Sequence, residues 1–155
     1  MARSDSRSDY KCVHRLRVRW AEVDMQKVVF NGHYLTYIDT AFADYLRAID
    51  LPYPEGYVDK YANDIFLRKA QVEYLGSAHY DDELAVHCRV AKFGRSSITF
   101  LFEIWRERPD PSAAPLITAE LVYVNADPKT MKAAPLPEDV RARVRSYERT
   151  SPAEN

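Results

Sequence analysis

Asp24 is the residue whose position points most directly to chemistry. It lies in the stretch 20–34, immediately before the clearest helical pattern in the chain. A helix N-terminus presents unpaired N–H groups and a partial positive charge. It can therefore stabilise a developing oxyanion while a nearby carboxylate acts as a base or a nucleophile. An acidic residue near a helix start is also common as a cap or a solvated loop residue, so position alone leaves both interpretations open.

The sequence does not indicate other kinds of reactive site. It contains no Gly-x-Ser-x-Gly, no P-loop and no Gly-x-Gly-x-x-Gly, and its four glycines leave little scope for a phosphate-cradling loop. Cys12 and Cys88 have no Cys or His neighbour at zinc-finger spacing, and two unpaired thiols are favoured over a disulfide. The histidines show no metal-binding spacing: His14, His33, His79 and His87. We therefore expect neither a metal nor another cofactor.

A long amphipathic helix is predicted over residues 32–50. Its apolar side chains recur at helical spacing and form one broad stripe, namely Tyr34, Tyr37, Ile38, Ala41, Phe42, Tyr45, Leu46 and Ile49. Asn31 is a suitable N-cap, because its side-chain oxygen can accept a hydrogen bond from the first turn. Leu51 precedes Pro52, and the helix is expected to end there because proline disfavours helical geometry in the residue before it.

Strands are predicted on both sides of this helix. Residues 13–20 alternate between basic and mostly apolar side chains, which is typical of a half-buried strand. After a loop or short irregular helix at 52–63, four strands are predicted at 65–74, 83–93, 97–106 and 115–125, and then a short helix at 138–147. The turn 93–96 should join two of these strands into an antiparallel hairpin. One long helix followed by sequential strands indicates an α+β fold, with the helix on the apolar face of an antiparallel sheet.

Length and composition limit the function classes. The 155 residues suit one domain, which we place at 11–148 between flexible tails at 1–10 and 149–155. The net charge of -1 gives no global basic field, so no nucleic-acid partner is expected. No apolar run reaches about 18 residues and the N-terminus is polar, so we expect no membrane span and a cytoplasmic location. The strand at 97–106 is apolar on both sides, which suggests an oligomer interface.

The stretch around Asp24 resembles the signature of the 4-hydroxybenzoyl-CoA thioesterase family of hotdog proteins. The matching residues are an aromatic strand end, the aspartate, two valines with an aromatic, and a helix start: Trp20, Asp24, Val28, Val29, Phe30, Tyr34, Leu35 and Tyr37. Residues 72–75 with 80–84, and the turn 94–97, match two further segments of the family pattern in the same order. The resemblance covers about residues 15–125.

This resemblance implies a fold, an activity and an assembly. The fold is the hotdog fold, in which a long central helix is wrapped by a curved antiparallel sheet of about five strands. The activity is hydrolysis of an acyl- or aryl-CoA thioester to the free acid and coenzyme A, without a metal or redox cofactor. The chain is expected to form a homodimer or homotetramer, with sheets paired edge to edge and active sites at the interface.

The resemblance also implies roles for residues at the helix start. Asp24 would activate water as a general base or attack the thioester carbonyl itself. Asn31 would polarise the substrate or position water, which is compatible with a role as helix cap. The N–H groups of Gly32, His33 and Tyr34 would hold the carbonyl oxygen. If Asp24 does not act, the next catalytic candidates are Glu73 and His33, although the mid-strand position of Glu73 favours a structural role.

Five residues are candidates for contacts to coenzyme A: Lys27, Arg68, Lys69, Arg95 and Ser96. A guanidinium suits phosphate, but Arg95 and Ser96 are equally explained as turn residues. Many relatives carry glycine where Lys27 stands, and many bacterial relatives carry histidine where Asn31 stands. Lys27 places a positive charge near Asp24, which would lower the pKa of Asp24 or contact a substrate phosphate.

Two other functions stay open at this stage. A non-catalytic acyl-CoA binding module would keep the pocket and lose hydrolysis, and the departures at Lys27 and Asn31 are compatible with it. Another hotdog enzyme, such as a hydratase acting on enoyl thioesters, would normally need an Asp/His pair in its own motif. The sequence shows no such pair.

Overall fold

The computed structural model describes residues 6–154. The strands are β1 (Cys12–Arg17), β2 (Asp64–Tyr74), β3 (Glu83–Phe93), β4 (Ser97–Arg108), β5 (Ile117–Ala126) and the short β6 (Ala153–Glu154). The α-helices are α1 (His33–Ala48) and α2 (Glu138–Tyr147), with shorter helical turns at Ser6–Asp9, Trp20–Glu22 and Glu55–Asp59. None of the helices in this range is long and apolar enough to cross a membrane.

The main strands form one sheet in the order β1-β3-β4-β5-β2, and neighbours in this order are antiparallel. β3 and β4 form the hairpin expected from the turn 93–96, while β6 pairs in parallel with the end of β3. Within residues 6–154, the outer edge of β2 has no strand partner. Because β2 has eleven residues, one side of the sheet presents a long row of unpaired backbone N–H and C=O groups.

α1 lies against the sheet and supplies much of the core. Its buried side chains reproduce the predicted stripe: Tyr34, Tyr37, Ile38, Ala41, Phe42, Tyr45 and Leu46. Phe42 stacks on Tyr123 of β5 with 4.4 Å between ring centroids and meets Phe100 of β4 edge-on at 5.1 Å. Such aromatic pairs contribute about 0.5–1.5 kcal/mol each beyond the area that they bury. The predicted α+β architecture of a long helix on an antiparallel sheet is confirmed.

The start of α1 differs from the prediction. Gly32 stands at the N-cap and no side chain caps the helix, so the prediction that Asn31 is the N-cap is wrong. The His33 N–H donates instead to the carbonyl of Phe30 at 2.9 Å. The backbone thus closes the first turn itself, and the Asn31 side chain is left exposed.

The end of α1 also comes earlier than predicted. Asp50 has a left-handed backbone conformation with φ of 62°. The N–H of Asp50 donates to the Arg47 carbonyl at 3.0 Å, and the N–H of Leu51 donates to the Leu46 carbonyl at 2.8 Å. This pair of bonds is a Schellman motif, and it ends the helix at Ala48 before Pro52 can do so.

β1 ends at Arg17 rather than at Trp20. The chain leaves the strand at Val18, whose N–H donates to the Asp82 carbonyl at 2.9 Å, and then turns through Trp20–Glu22. The alternation of side chains in the sequence continues through this turn. The alternation therefore gave no indication of where the strand ends.

Parts of both predicted tails contact the sheet. Ser6 donates a hydrogen bond to the carboxylate of Glu103 at 2.8 Å, and the guanidinium of Arg7 lies 4.0 Å from the centroid of the Trp105 ring. Glu103 and Trp105 alternate with the core residues of β4 and so lie on the face of the sheet away from α1. Residues 6–10 therefore cover part of the apolar outer face of β4 that the sequence analysis attributed to an oligomer interface.

Candidate active site

Asp24 lies in a tight hairpin between β1 and α1. Val23 and Val29 form an antiparallel bridge at its base. The Asp24 N–H donates to the Val28 carbonyl at 3.0 Å, and the Lys27 N–H donates to the Asp24 carbonyl at 2.9 Å. Lys27 closes the loop in the left-handed conformation, with φ of 64°. The catalytic candidate is thus held by a defined hairpin, which we call the Asp24 hairpin (residues 22–30).

One oxygen of the Asp24 carboxylate is fixed by the hairpin and the other is available. Oδ1 accepts the N–H of Gln26 at 2.7 Å. Within residues 6–154, Oδ2 accepts no hydrogen bond, and the side chain is half-buried. A carboxylate held in this way can accept a proton from water or attack a carbonyl carbon.

Two of the three amides predicted to hold an oxyanion are available for it. In the described part of the chain, the N–H groups of Gly32 and Tyr34 make no hydrogen bond. The N–H of His33 is engaged by the Phe30 carbonyl, and its ring packs edge-on against the Phe30 ring with 5.7 Å between centroids. The free donors at the helix start are therefore those on either side of His33.

The Asp24 hairpin is fixed to the rest of the molecule by the turn that precedes β3. The Val29 N–H donates to the Ala78 carbonyl at 2.9 Å. The Ala78 N–H in turn donates to the hydroxyl oxygen of Tyr34 at 3.0 Å. Tyr34 is buried in the core, so this aromatic side chain ties the turn to α1 rather than forming an open pocket wall.

Glu22 is a residue of this site that the sequence analysis did not identify. Its carboxylate is buried and accepts hydrogen bonds from the Tyr37 hydroxyl at 2.9 Å, the Arg19 backbone N–H at 2.8 Å and the Arg19 guanidinium at 2.9 Å. Burial opposes its ionisation, but the hydrogen bonds from Arg19 and Tyr37 outweigh it and hold the pKa of Glu22 below its usual value. The only signal in the sequence was an acidic residue two positions before Asp24, which does not by itself indicate burial.

Four of the candidates for binding coenzyme A are cations whose side chains make no hydrogen bond or ion pair within residues 6–154: Lys27, Arg68, Lys69 and Arg95. Arg68 and Lys69 lie on the exposed edge strand β2. Arg95 and Ser96 lie in the β3–β4 turn, where their carbonyls accept the N–H groups of Leu136 at 2.9 Å and Asn125 at 2.8 Å. These cations could hold a phosphorylated ligand, while no cluster that could hold a metal ion occurs among the described residues.

Asp24 and Arg95 are not brought together within one chain. The Asp24 hairpin follows β1 beside Glu83, the first residue of β3, whereas Arg95 follows Phe93, the last residue of β3. A strand of eleven residues at about 3.3 Å per residue separates its ends by roughly 30 Å. Within one chain, the two residues therefore lie too far apart to contact the same group of a substrate.

A shallow groove runs between α1, β2 and β5. Its lining combines apolar side chains with one carboxylate and two hydroxyls: Leu35, Thr36, Asp39, Leu67, Leu121 and Tyr123. Further exposed apolar side chains lie on the Asp24 hairpin and at the end of β2, namely Met25, Phe30, Tyr74 and Leu75. This groove could not be predicted from the sequence, because it forms only when the helix and two distant strands come together.

Comparison with known proteins gives one family match and one curated relative. Residues 26–113 match the sequence profile of the Thioesterase superfamily. This match begins just after Asp24. A protein of Aquifex aeolicus (strain VF5) described as "Putative esterase" is 28% identical over 95 residues, which cover 61% of this chain and 73% of that protein.

Solved structures share the fold at lower sequence identity. A 1,4-dihydroxy-2-naphthoyl-CoA thioesterase from Synechocystis superposes with a TM-score of 0.74 at 21% identity, over 85% of this chain and 93% of that one. A Staphylococcus aureus protein crystallised in complex with CoA gives a TM-score of 0.77 at 16% identity, over 91% of this chain and 85% of that one. These similarities and the sheet order confirm the predicted hotdog fold. Because the family match covers more than half of its residues, the chain belongs to the thioesterase superfamily.

Proposed function

We propose that this chain hydrolyses the thioester of an acyl- or aryl-CoA and that Asp24 is its central catalytic residue, as in the Asp-dependent 4-hydroxybenzoyl-CoA type. One observation carries the proposal. A carboxylate with one free oxygen stands on a fixed hairpin directly before a helix whose Gly32 and Tyr34 amides are unpaired. Thioester hydrolysis needs both parts, a base or nucleophile and donors for the oxyanion.

The reaction that this arrangement suits is addition of water to the thioester carbonyl. The free Oδ2 of Asp24 would accept a proton from water as its oxygen bonds to the carbonyl carbon. Alternatively, Oδ2 would bond to that carbon itself and water would later release the acid. In either route the carbonyl oxygen gains negative charge that the Gly32 and Tyr34 N–H groups would stabilise. The C–S bond then breaks, and the coenzyme A thiolate takes up a proton.

Coenzyme A is the carrier that the surroundings of the site favour. The fold is shared with a protein crystallised with CoA and with a thioesterase for an aryl-CoA. The unpaired cations Lys27, Arg68, Lys69 and Arg95 would contact its phosphates, since charge-assisted hydrogen bonds to phosphate are among the stronger ones. The groove beside Leu35 and Leu67 would receive the acyl or aryl group.

We also propose that two chains pair through their β2 edges to complete each site. An unpaired edge of this length is normally covered in a native protein, and exposed apolar side chains, including Leu67, Tyr74 and Leu75, lie along it. A two-fold axis across β2 would make the new pair of strands antiparallel. The far end of one sheet would then lie beside the Asp24 end of the other, which would bring Arg95 of the partner subunit toward Asp24.

The test of the proposed function is the variant Asp24→Asn, assayed by thiol release from acyl-CoAs of several chain lengths and from aryl-CoAs. A positioned general base contributes about 10²- to 10⁴-fold in rate, so kcat should fall by that factor. The melting temperature should change little, because a loop carboxylate of this kind contributes only about 1 kcal/mol. Asparagine can still accept the Gln26 N–H, so the hairpin should persist.

Asp127→Asn is a matched control, because Asp127 also accepts the backbone N–H two residues later, at 2.8 Å. It should keep the wild-type kcat. Wild-type turnover in Asp24→Asn would contradict the mechanism, and Glu73 and His33 would become the next catalytic candidates. A wild-type protein that binds acyl-CoA without hydrolysing any would instead be a binding module.

A further inference from the structure

Glu22, the first residue of the Asp24 hairpin, makes a buried polar contact with Tyr37 of α1. Glu22 is 7% exposed and Tyr37 is 4% exposed, and the Tyr37 hydroxyl donates to Oε1 of Glu22 at 2.9 Å. Both oxygens of Glu22 are occupied, since Oε1 also accepts the Arg19 N–H and Oε2 accepts the Arg19 guanidinium. A buried carboxylate that is fully satisfied has one well-defined position.

The backbone of Glu22 is part of the hairpin that carries Asp24. The Glu22 carbonyl accepts the Phe30 N–H at 2.9 Å, and the bridge between Val23 and Val29 follows directly. Tyr37 belongs to α1, one turn after the free amide of Tyr34. The side-chain bond between Glu22 and Tyr37 therefore connects the element that holds the carboxylate to the element that holds the oxyanion donors.

We infer that Glu22 is a positioning residue, which acts through Tyr37 to fix the distance between Asp24 and the start of α1. This inference rests on the proposed function, because the distance matters only if both groups act on one carbonyl. Reacting groups must be held within a narrow range of geometry, and a misplacement of about 1 Å can cost about 100-fold in rate.

The variant Glu22→Gln tests this role. Glutamine that keeps its oxygen toward Tyr37 and the Arg19 N–H must turn its NH2 toward the Arg19 guanidinium, and the opposite orientation turns the NH2 toward the Arg19 N–H. Either orientation loses the ion pair with Arg19, so the side chain that bonds Tyr37 is held less firmly. We expect kcat to fall about 10- to 100-fold, with KM within about twofold because no substrate contact is removed. Tyr37→Phe removes the donor to Glu22 and should lower kcat by at least as much. If Glu22 acts through Tyr37, the double variant should be no slower than Tyr37→Phe alone.

The same helix offers a matched control. Glu148 is also a buried carboxylate bonded to a tyrosine of α1, as its Oε1 accepts the Tyr45 hydroxyl at 2.7 Å and the Val90 N–H at 2.9 Å. This contact lies toward the opposite end of α1 from Asp24. Its Oε2 has no hydrogen-bond partner, so a glutamine can place its NH2 there. Glu148→Gln should therefore leave both kcat and KM within about twofold of wild type.

Hydrogen exchange separates this inference from the proposed function. In Glu22→Gln, the bonded amides of Asp24, Lys27, Val29 and Phe30 should exchange about tenfold faster or more, because the hairpin opens more often. In Glu148→Gln they should not. If the wild-type protein hydrolyses no thioester, the proposed function is wrong. Faster exchange of the hairpin amides in Glu22→Gln would still support the link between the hairpin and α1. Unchanged kcat in Glu22→Gln, or unchanged exchange, would overturn the positioning role even if Asp24 proves catalytic.

Discussion

Lys27 occupies a backbone conformation that a residue with a Cβ atom disfavours. Its φ of 64° is left-handed, which costs a residue other than glycine about 1–2 kcal/mol. The conformation lets the Lys27 N–H reach the Asp24 carbonyl and close the hairpin. The glycine that the family resemblance implies at this position would adopt this conformation without that cost, and the lysine here forms the turn at a cost in stability.

Lys27→Gly should therefore raise the free energy of unfolding. The gain should be about 0.5–1 kcal/mol, because the greater freedom of glycine in the unfolded chain offsets part of the relieved strain. Urea denaturation of both proteins measures the difference. Lys27→Ala is the control, since it removes the charge and keeps the Cβ atom, and it should show no such gain. A glycine variant no more stable than the alanine variant would contradict the argument.

For single residues, the sequence predicted the position of Asp24 but not the contacts of its neighbours Glu22 and Asn31. The spacing from Trp20 through Asp24 to Tyr34 placed the carboxylate before a helix, and the structure has it there. Asn31 was expected to cap the helix, but the Phe30 carbonyl takes the His33 N–H instead. Glu22 was not identified because its burial depends on Tyr37, fifteen residues further along the chain, and no local pattern encodes that contact.

At the scale of elements, periodicity located the helices and strands better than it located their ends. The apolar stripe of α1 and the alternation in β3 depend on side chains that face the core, and both elements appear where predicted. Their ends depend on backbone hydrogen bonds. The Schellman motif at Asp50 and the turn at Trp20–Glu22 each stop an element before the apolar pattern stops.

The β3–β4 turn is the element for which the sequence predicted a ligand contact. Arg95→Ala should raise KM for acyl-CoA about tenfold, since a hydrogen bond to a charged group contributes about 1.5–3 kcal/mol. The value of kcat should be retained, because the guanidinium would not touch the reacting atoms. A pantetheine thioester, which lacks the nucleotide phosphates, should show a much smaller change. Equal changes for both substrates would assign Arg95 to the turn alone.

At the scale of the whole molecule, the two faces and two edges of the sheet are covered differently. α1 packs on one face, and residues 6–10 cover part of the other through Glu103 and Trp105. One edge is the six-residue β1 and the other is the eleven-residue β2, and neither has a strand partner on its outer side within residues 6–154. The β2 edge is the longer one and carries exposed apolar side chains such as Leu67. An oligomer is therefore expected to form through the β2 edge rather than through the apolar outer side of β4.

The proposed β2 pairing predicts a dimer, or a tetramer built from such dimers. Light scattering should give at least twice the chain mass of 17.9 kDa at micromolar concentration. Mixed dimers test the geometry more sharply. One chain would carry Asp24→Asn and the other Arg95→Ala, each with a different affinity tag so that only mixed dimers are recovered.

In such a mixed dimer, the only intact Asp24 belongs to the chain that lacks Arg95. If Arg95 serves the site of its partner, that Asp24 still receives an intact Arg95 from the other chain. The mixed dimer should then hydrolyse acyl-CoA with the wild-type KM and about half of the wild-type kcat per dimer, because one of its two sites is complete. If Arg95 served its own chain, the active site would retain the raised KM of Arg95→Ala. The length of β3 keeps Asp24 and Arg95 of one chain at opposite ends of the sheet, which favours the shared site. A raised KM in the mixed dimer, or a strict monomer in solution, would rule the shared site out.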